Sequence, residues 1–217
     1  MSEAIDSKPP PAGTPALLRA VQLAARRGER MLFSGLELQL LPGEIVWLRG
    51  TNGRGKTTLL RILAGLSSPT EGSAVACELA YIAHANALKD DLLAGEALRF
   101  LSALSGVPAT PAAVQAALVT LGVGRQAQLP VRVLSQGQRR RVALARLALP
   151  DPPRLWLLDE PFDALDEAGI ATLQSLLRAH AAAGAGVLLT SHQPPPGGLA
   201  TRVLDLDATR RDARSPG

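Results

Sequence analysis

The stretch Gly50-Thr51-Asn52-Gly53-Arg54-Gly55-Lys56-Thr57 decides the fold. It matches G-x-x-x-x-G-K-[ST] without a gap, the spacing of a loop that wraps phosphate groups. Its glycines let backbone N–H groups curl inward around phosphate oxygens, and a helix starting behind the loop adds partial positive charge. Lys56 then reaches the β- and γ-phosphates of a nucleotide, the Thr57 hydroxyl binds Mg²⁺, and Thr58 carries the loop into the helix. The flanks supply the required context. Ile45-Val46-Trp47-Leu48 is a short apolar run suited to a buried strand, and Thr57 to Ala64 has helical spacing that Gly65 stops. A Gly-rich turn with a coincidental lysine is the plainer alternative, and the strand before it and helix after it weigh against that.

Working outward, Leu17 to Leu23 reads as a strand, Gly28-Glu29 as a turn, and Leu36, Leu38 and Leu40 as the apolar face of a half-buried strand. Ser67 to Gly72 reads as a loop and Leu79 to Ile82 as another short strand. Residues 88 to 133 are Ala/Leu-rich with helical spacing, and Thr110-Pro111 supplies an N-cap and first-turn proline for a helix over 112–121. A second helix is expected over Gln136 to Leu149, ended by Pro150, Pro152 and Pro153. Strands then follow at Leu155 to Leu158, Val187 to Thr190 and Val203 to Leu206, with a long helix from Glu167 to Ala183. Strands alternating with helices give an α/β fold. The expected form is a P-loop NTPase core with a mostly parallel sheet, N-terminal antiparallel strands and an inserted helical lobe. The expected boundaries are a disordered Pro-rich tail over 1–15, a domain over 16–207 with its helical lobe at about 88–150, and a polar tail over 208–217.

Composition narrows the function. The 217 residues are 47% hydrophobic and 19% charged, too apolar for a disordered chain. The net charge of +4 is carried almost wholly by Arg, and no dense basic face suggests nucleic acid as a partner. Lone Cys77 excludes an intramolecular disulfide framework and fits a reducing compartment. The longest apolar candidate for a membrane span, Leu92 to Val107, is broken by Glu96 and Arg99, and the N-terminus lacks the apolar core of a secretory signal. A membrane role is therefore expected to run through partner chains.

Three further motifs carry chemistry. Arg154-Leu155-Trp156-Leu157-Leu158-Asp159-Glu160 is an apolar strand ending in two carboxylates. Asp159 at its tip suits holding Mg²⁺ through water, and Glu160 beside it suits polarising an attacking water. The plainer alternative is an Asp that caps the next turn. Leu134-Ser135-Gln136-Gly137-Gln138 opens a helix, and Thr190-Ser191-His192 follows a strand. Taken alone, Ser135 is an ordinary N-cap and His192 a structural histidine. Their order along the chain, together with Ala164-Leu165-Asp166, resembles the signature, switch-histidine and D-loop motifs of ABC-type ATPases, over about residues 17 to 206. That resemblance implies the ABC ATPase fold, ATP and Mg²⁺ as ligands, and a dimer of ATPase domains formed on binding ATP. In it, Lys56, Thr57, Asp159, Glu160 and His192 serve one face of each ATP, with Glu160 and His192 catalytic. Ser135, Gly137 and Gln138 of the opposite protomer complete the site.

A narrower resemblance rests on QRRRVALARL, DEPFDALD, TSHQ, Tyr81-Ile82-Ala83-His84, Leu88-Lys89 and the opening Glu29 to Leu36. These are similar to the ATP-binding subunit of the cytochrome c maturation (haem exporter) complex. The resemblance implies integral membrane subunits as partners and a peripheral place on the cytoplasmic face of the bacterial inner membrane. The alternatives are the ATPase of another small ABC exporter, which shares the motifs, and a soluble ABC ATPase acting on nucleic acid. The latter usually carries a coiled-coil insert or a second cassette, and neither is visible. A small GTPase would need an Asn-Lys-x-Asp motif, which is missing. Three positions depart from the family pattern. His84, followed by Ala85, stands where a Gln linked to Mg²⁺ or water is usual, so His84 is a candidate metal ligand. Gln136 replaces a signature glycine, and Arg26 stands where an aromatic usually stacks on adenine. The run Arg139-Arg140-Arg141 is expected on a solvated helix face with one member near the sheet, and Arg210, Arg211 and Arg214 in a solvated tail.

Overall fold

In the computed structural model, which describes residues 15–208, strands β1 (Leu18–Arg27) and β2 (Arg30–Leu40) form an antiparallel pair across the Gly28-Glu29 turn. Both are longer than the alternation of leucines alone indicates. β4 (Glu71–Ala76) completes this sheet on the other side of β1, with Leu18 opposite Ala76 and Val21 opposite Ser73. The expected loop over Ser67 to Gly72 therefore gives way to a strand at Glu71. Gly72 and Ser73 are small and exposed and Ala74 is small and half-buried, so the run carries no strand signal, and the ladder to β1 supplies the stability instead.

A second sheet has the order β5–β6–β7–β3–β8, where β3 is Ile45–Arg49, β5 Leu79–Ile82, β6 Leu155–Leu158, β7 Gly186–Thr190 and β8 Arg202–Asp205. β3 runs parallel to both β7 and β8, and β6 parallel to β7. Every residue of β6 and β7 is buried, the pattern of a sheet covered on both faces. Helix α1 (Lys56–Leu63) follows β3 and buries Leu59, Leu60, Ile62 and Leu63. Leucines 36, 48, 59, 157 and 188 join both sheets and this helix in one core. Because Leu48 pairs with Thr190 and Leu158 with Leu189, the segments after β3, β6 and β7 emerge together at one edge of the sheet.

The chain divides into two compact units. Among the described residues, the first holds 15–81, 154–160 and 179–208; the second holds 82–153 and 161–178. In the second unit lie α2 (Ala94–Leu104), α3 (Pro111–Thr120) and α4 (Gln136–Leu144), and α5 (Glu167–Ala182) begins there. Leu98, Leu118, Leu121 and Leu144 are fully buried in it or nearly so. Thr110 caps α3 through its hydroxyl, which accepts the Ala113 N–H at 3.2 Å. The helix expected over Gln136 to Leu149 ends earlier: Ala145–Ala148 tightens to a 3-10 turn and Leu149 is extended. The cause is Pro150, which disfavours helical backbone in the residue before it. β8 begins and ends one residue before the expected strand. The expected tails, 1–15 and 208–217, with Arg210, Arg211 and Arg214, lie outside the described residues except for Pro15 and Ala208.

Candidate active site

Gly55 caps α1 with φ +102°, a backbone region that side chains strain to enter. A Cβ there would also press on Leu32 Cβ at 3.1 Å, so only glycine lets the loop lie this close to β2. Lys56 Nζ donates to the Gly50 carbonyl at 2.7 Å and so lies across the mouth of the loop. The Thr57 hydroxyl donates to Asp159 Oδ2 at 2.8 Å. Two hard oxygens thus meet beside the loop, a donor set that suits Mg²⁺. Asn52 and Gly53 form its exposed tip, and Thr58 is half-buried in the first turn of α1.

Two loop residues have side chains engaged within the protein. Arg54 is only 6% exposed, and its guanidinium turns away from the mouth, bonding the Leu32 and Leu206 carbonyls and Asp207. Thr51 gives both its N–H and its hydroxyl to Asp207. Arg26 lies exposed on β1.

The two carboxylates after β6 are buried, Asp159 and Glu160 alike. Thr190, the last residue of β7, serves both: its hydroxyl donates to Asp159 Oδ1 and accepts the Glu160 N–H, each at 2.8 Å. Glu160 has φ +48°, an uncommon backbone state for a non-glycine residue and one that concentrates at functional sites. Its Oε2 accepts the His192 N–H at 3.0 Å, while the half-exposed His192 ring stands 3.8 Å from Oε1. Tyr81 lies in the same unit, and burial, with the Asp159 charge second, pushes its phenol pKa up. Thr190 and Tyr81 fall within the quoted sequence motifs, but sequence reasoning gives neither side chain a role. A hydroxyl at the end of an otherwise apolar strand is the one signal for Thr190.

In the second unit, Ser135 and Gln138 cap α4 reciprocally: Ser135 Oγ accepts the Gln138 N–H at 3.2 Å and Gln138 Oε1 accepts the Ser135 N–H at 2.9 Å. Gly137 faces the Ala164 carbonyl so closely that a Cβ would stand 2.7 Å from it. The arginine run has one member turned fully inward, and the other two are partly covered. Arg140 is buried and donates to the Ala83 carbonyl at 2.9 Å and Asn86 Oδ1 at 3.1 Å. Arg141 pairs with Asp166, and Arg139 reaches the Leu134 carbonyl at 3.1 Å. The Gly169 N–H first, and Arg141 with it, holds the Asp166 carboxyl below the usual carboxylate range. The His84 ring stands 3.7 Å from Asp163, both well exposed, and among the described residues no group of three or more His, Cys, Asp or Glu side chains could hold a metal. Among the same residues no helix is long and apolar enough to cross a membrane.

The family model for ABC transporters matches residues 33–163. The cytochrome c biogenesis ATP-binding export protein CcmA of Aromatoleum aromaticum is 47% identical over 88% of this chain and 95% of its own. The protein of the same name from Methylococcus capsulatus is 46% identical over 82% and 91%. A solved dimeric ATP-binding cassette in a post-hydrolysis state with ADP and Pi superposes with a TM-score of 0.77 at 22% identity, covering 87% of this chain and 93% of that one. That likeness speaks to the fold, and the sequence relatives speak to descent. The chain belongs to the ABC transporter family of ATP hydrolases, on the branch of the cytochrome c biogenesis ATP-binding export proteins.

Proposed function

We propose that this chain is the ATP-hydrolysing subunit of an inner-membrane complex that drives haem export or release during cytochrome c biogenesis. The observation that carries the catalytic part is the convergence of Thr57, Asp159 and Thr190 on one edge of the sheet, with Glu160 fixed by backbone bonds from both sides. The loop of Gly50 to Lys56 cradles the phosphates, and Lys56 exchanges the Gly50 carbonyl for phosphate oxygens. Thr57 and Asp159 are the residues that would hold Mg²⁺, which would supply positive charge against the phosphates. Glu160 accepts a proton from water as that water attacks the γ-phosphate, and ADP and phosphate leave. The His192 N–H keeps the Glu160 carboxylate aimed during this step.

Each site is completed by a second copy of the chain, whose Ser135 and Gly137 approach the ATP held by Lys56. The solved dimeric relative supports this arrangement. A role in export during cytochrome c biogenesis is supported by the names of the sequence relatives, which span nearly the whole domain, and haem as the cargo follows from the resemblance to the haem exporter subunit.

Glu160→Gln tests the mechanism because the amide keeps the shape and loses the base. Turnover should fall by about 10²–10⁴-fold, the usual worth of general-base assistance, with ATP binding kept. Sizing chromatography should then show a dimer only with ATP. A monomer under saturating ATP, or turnover at the parent rate, would refute the composite site. Purification of the tagged chain from native membranes tests the biological part: haem-handling membrane subunits should co-purify, and a different transporter would reassign it.

A further inference from the structure

We propose that Asp207, two residues past β8, is a positioning residue that holds the phosphate loop in its binding curvature. The proposal rests on the reading of Gly50 to Lys56 as that loop. Asp207 Oδ2 accepts the Thr51 N–H at 2.8 Å, while Oδ1 accepts the Thr51 hydroxyl at 3.1 Å and pairs with Arg54 Nε at 2.9 Å. One carboxylate thus grips the second and fifth residues of the loop. The Arg54 N–H closes on the Thr51 carbonyl at 3.1 Å, so the gripped residues bracket a tight turn.

Both ends of this clasp are anchored. The Arg54 guanidinium also bonds the Leu32 carbonyl in β2 and the Leu206 carbonyl at 2.8 Å. Leu206 is fully buried and its N–H extends the β3–β8 ladder to the Arg49 carbonyl at 3.0 Å. The Asp207 N–H donates to Asp205 Oδ1 at 2.9 Å, and Arg49 holds the other oxygen of Asp205. Burial works against the Asp205 charge, but the Asp207 N–H and Arg49 outweigh it and keep its carboxyl below the usual range. Asp207 therefore reaches the loop from a fixed base. A buried guanidinium with carbonyls on one side and one carboxylate on the other depends on that carboxylate, since an uncompensated buried charge is costly.

The sign of the effect separates positioning from simple electrostatics. ATP and ADP are anions, so removing a carboxylate beside their site should tighten binding if charge alone governed affinity. A positioning role predicts the reverse.

Titration calorimetry of the full-length chain with Mg²⁺-ADP and Mg²⁺-ATP tests this. Asp207→Asn, which keeps the shape, should weaken both nucleotides about 3–10-fold, and Asp207→Ala about tenfold or more. Arg54→Ala should weaken them similarly, and the Arg54→Ala/Asp207→Ala pair should lose no more than the worse single change. The turnover number at saturating ATP should stay within about threefold of the parent, because Glu160 is untouched. Arg202→Ala, which breaks the 3.1 Å bond to Glu44 at the other end of β8, controls for general loosening of that strand. It should lower the melting temperature and leave nucleotide affinity alone. Unchanged or tighter binding by folded Asp207→Asn overturns the proposal, as does weakening no greater than that of Arg202→Ala. Lys56→Ala distinguishes the two levels. If it abolishes binding while Asp207 variants bind normally, only the clasp fails; if it binds normally too, the loop itself has been misread.

Discussion

Thr190→Val removes a single hydroxyl from the centre of the catalytic edge with almost no change of shape. Thr190 is fully buried, and its Oγ1 makes two 2.8 Å bonds, to Asp159 Oδ1 and from the Glu160 N–H. The bond to a carboxylate is worth about 1.5–3 kcal/mol, and leaving a buried N–H without this acceptor costs about 1–3 kcal/mol. The new methyl returns about 0.8 kcal/mol of burial. The net loss is about 2–5 kcal/mol, enough to lower the melting temperature by roughly 4–20 °C in a chain of this size. ATPase activity should fall more than tenfold, since the same hydroxyl sets the positions of both carboxylates. Thr190→Ser keeps the oxygen and should retain most of the activity while losing about 1 kcal/mol for the missing methyl. Thermal melts and steady-state phosphate release on the Val and Ser variants, side by side, decide the matter. Equal stability and equal turnover in the two would show that the hydroxyl bridge carries neither load.

Gly137→Ala ordinarily strengthens a helix by about 1 kcal/mol, but its Cβ would meet the Ala164 carbonyl at 2.7 Å. Melting should therefore drop, and a rise in the melting temperature would mean that Ala164 yields freely. His180 stacks on Trp156 with centroids 3.5 Å apart, and burial pushes its pKa down to about 4 from an ordinary 6.5. Between those values the unfolded chain binds a proton that the folded chain refuses, so the stability present above pH 6.5 is progressively lost as pH falls to about 4. The full loss is about 3 kcal/mol. Urea titrations of His180→Phe across that window should show this part of the slope gone; a slope equal to the parent's would place the acid sensitivity elsewhere.

The phosphate loop is legible in sequence because its chemistry needs contiguous residues: the glycines, Lys56 and Thr57 act on one ligand from one turn of chain. The same holds for the β6 carboxylates and the Ser135–Gln138 cap. What the sequence conceals are contacts brought together by topology. Thr190 reaches Asp159 from 31 residues away and Asp207 reaches Thr51 from 156, and neither separation leaves a local pattern. The partners of the Arg54 side chain are hidden for the same reason: β2 and the segment after β8 supply its guanidinium with the Leu32 and Leu206 carbonyls and Asp207. β4 escapes a pattern search because Glu71-Gly72-Ser73-Ala74-Val75-Ala76 is held by its ladder to β1 and only half-buried at best.

Arg140 shows how such a hidden contact changes the reading of a departure from family pattern. In sequence, the three consecutive arginines read as a solvated helix face with one member near the sheet, since burying a guanidinium without partners is prohibitive. In the second unit the partners exist: the Ala83 carbonyl at 2.9 Å, Asn86 Oδ1 at 3.1 Å and the more distant His84 carbonyl at 3.5 Å. Two of these are main-chain atoms, so α4 grips the segment around residue 84 whatever side chain stands there. Arg141, on the same helix, grips Asp166, and Gly137 abuts the Ala164 carbonyl. A shift of α4 must therefore be felt at residues 83–86 and at 164–166 together. Replacing the usual Gln by His84 alters what that position presents to its surroundings and leaves this mechanical tie intact, because the tie runs through backbone carbonyls and not through the substituted side chain.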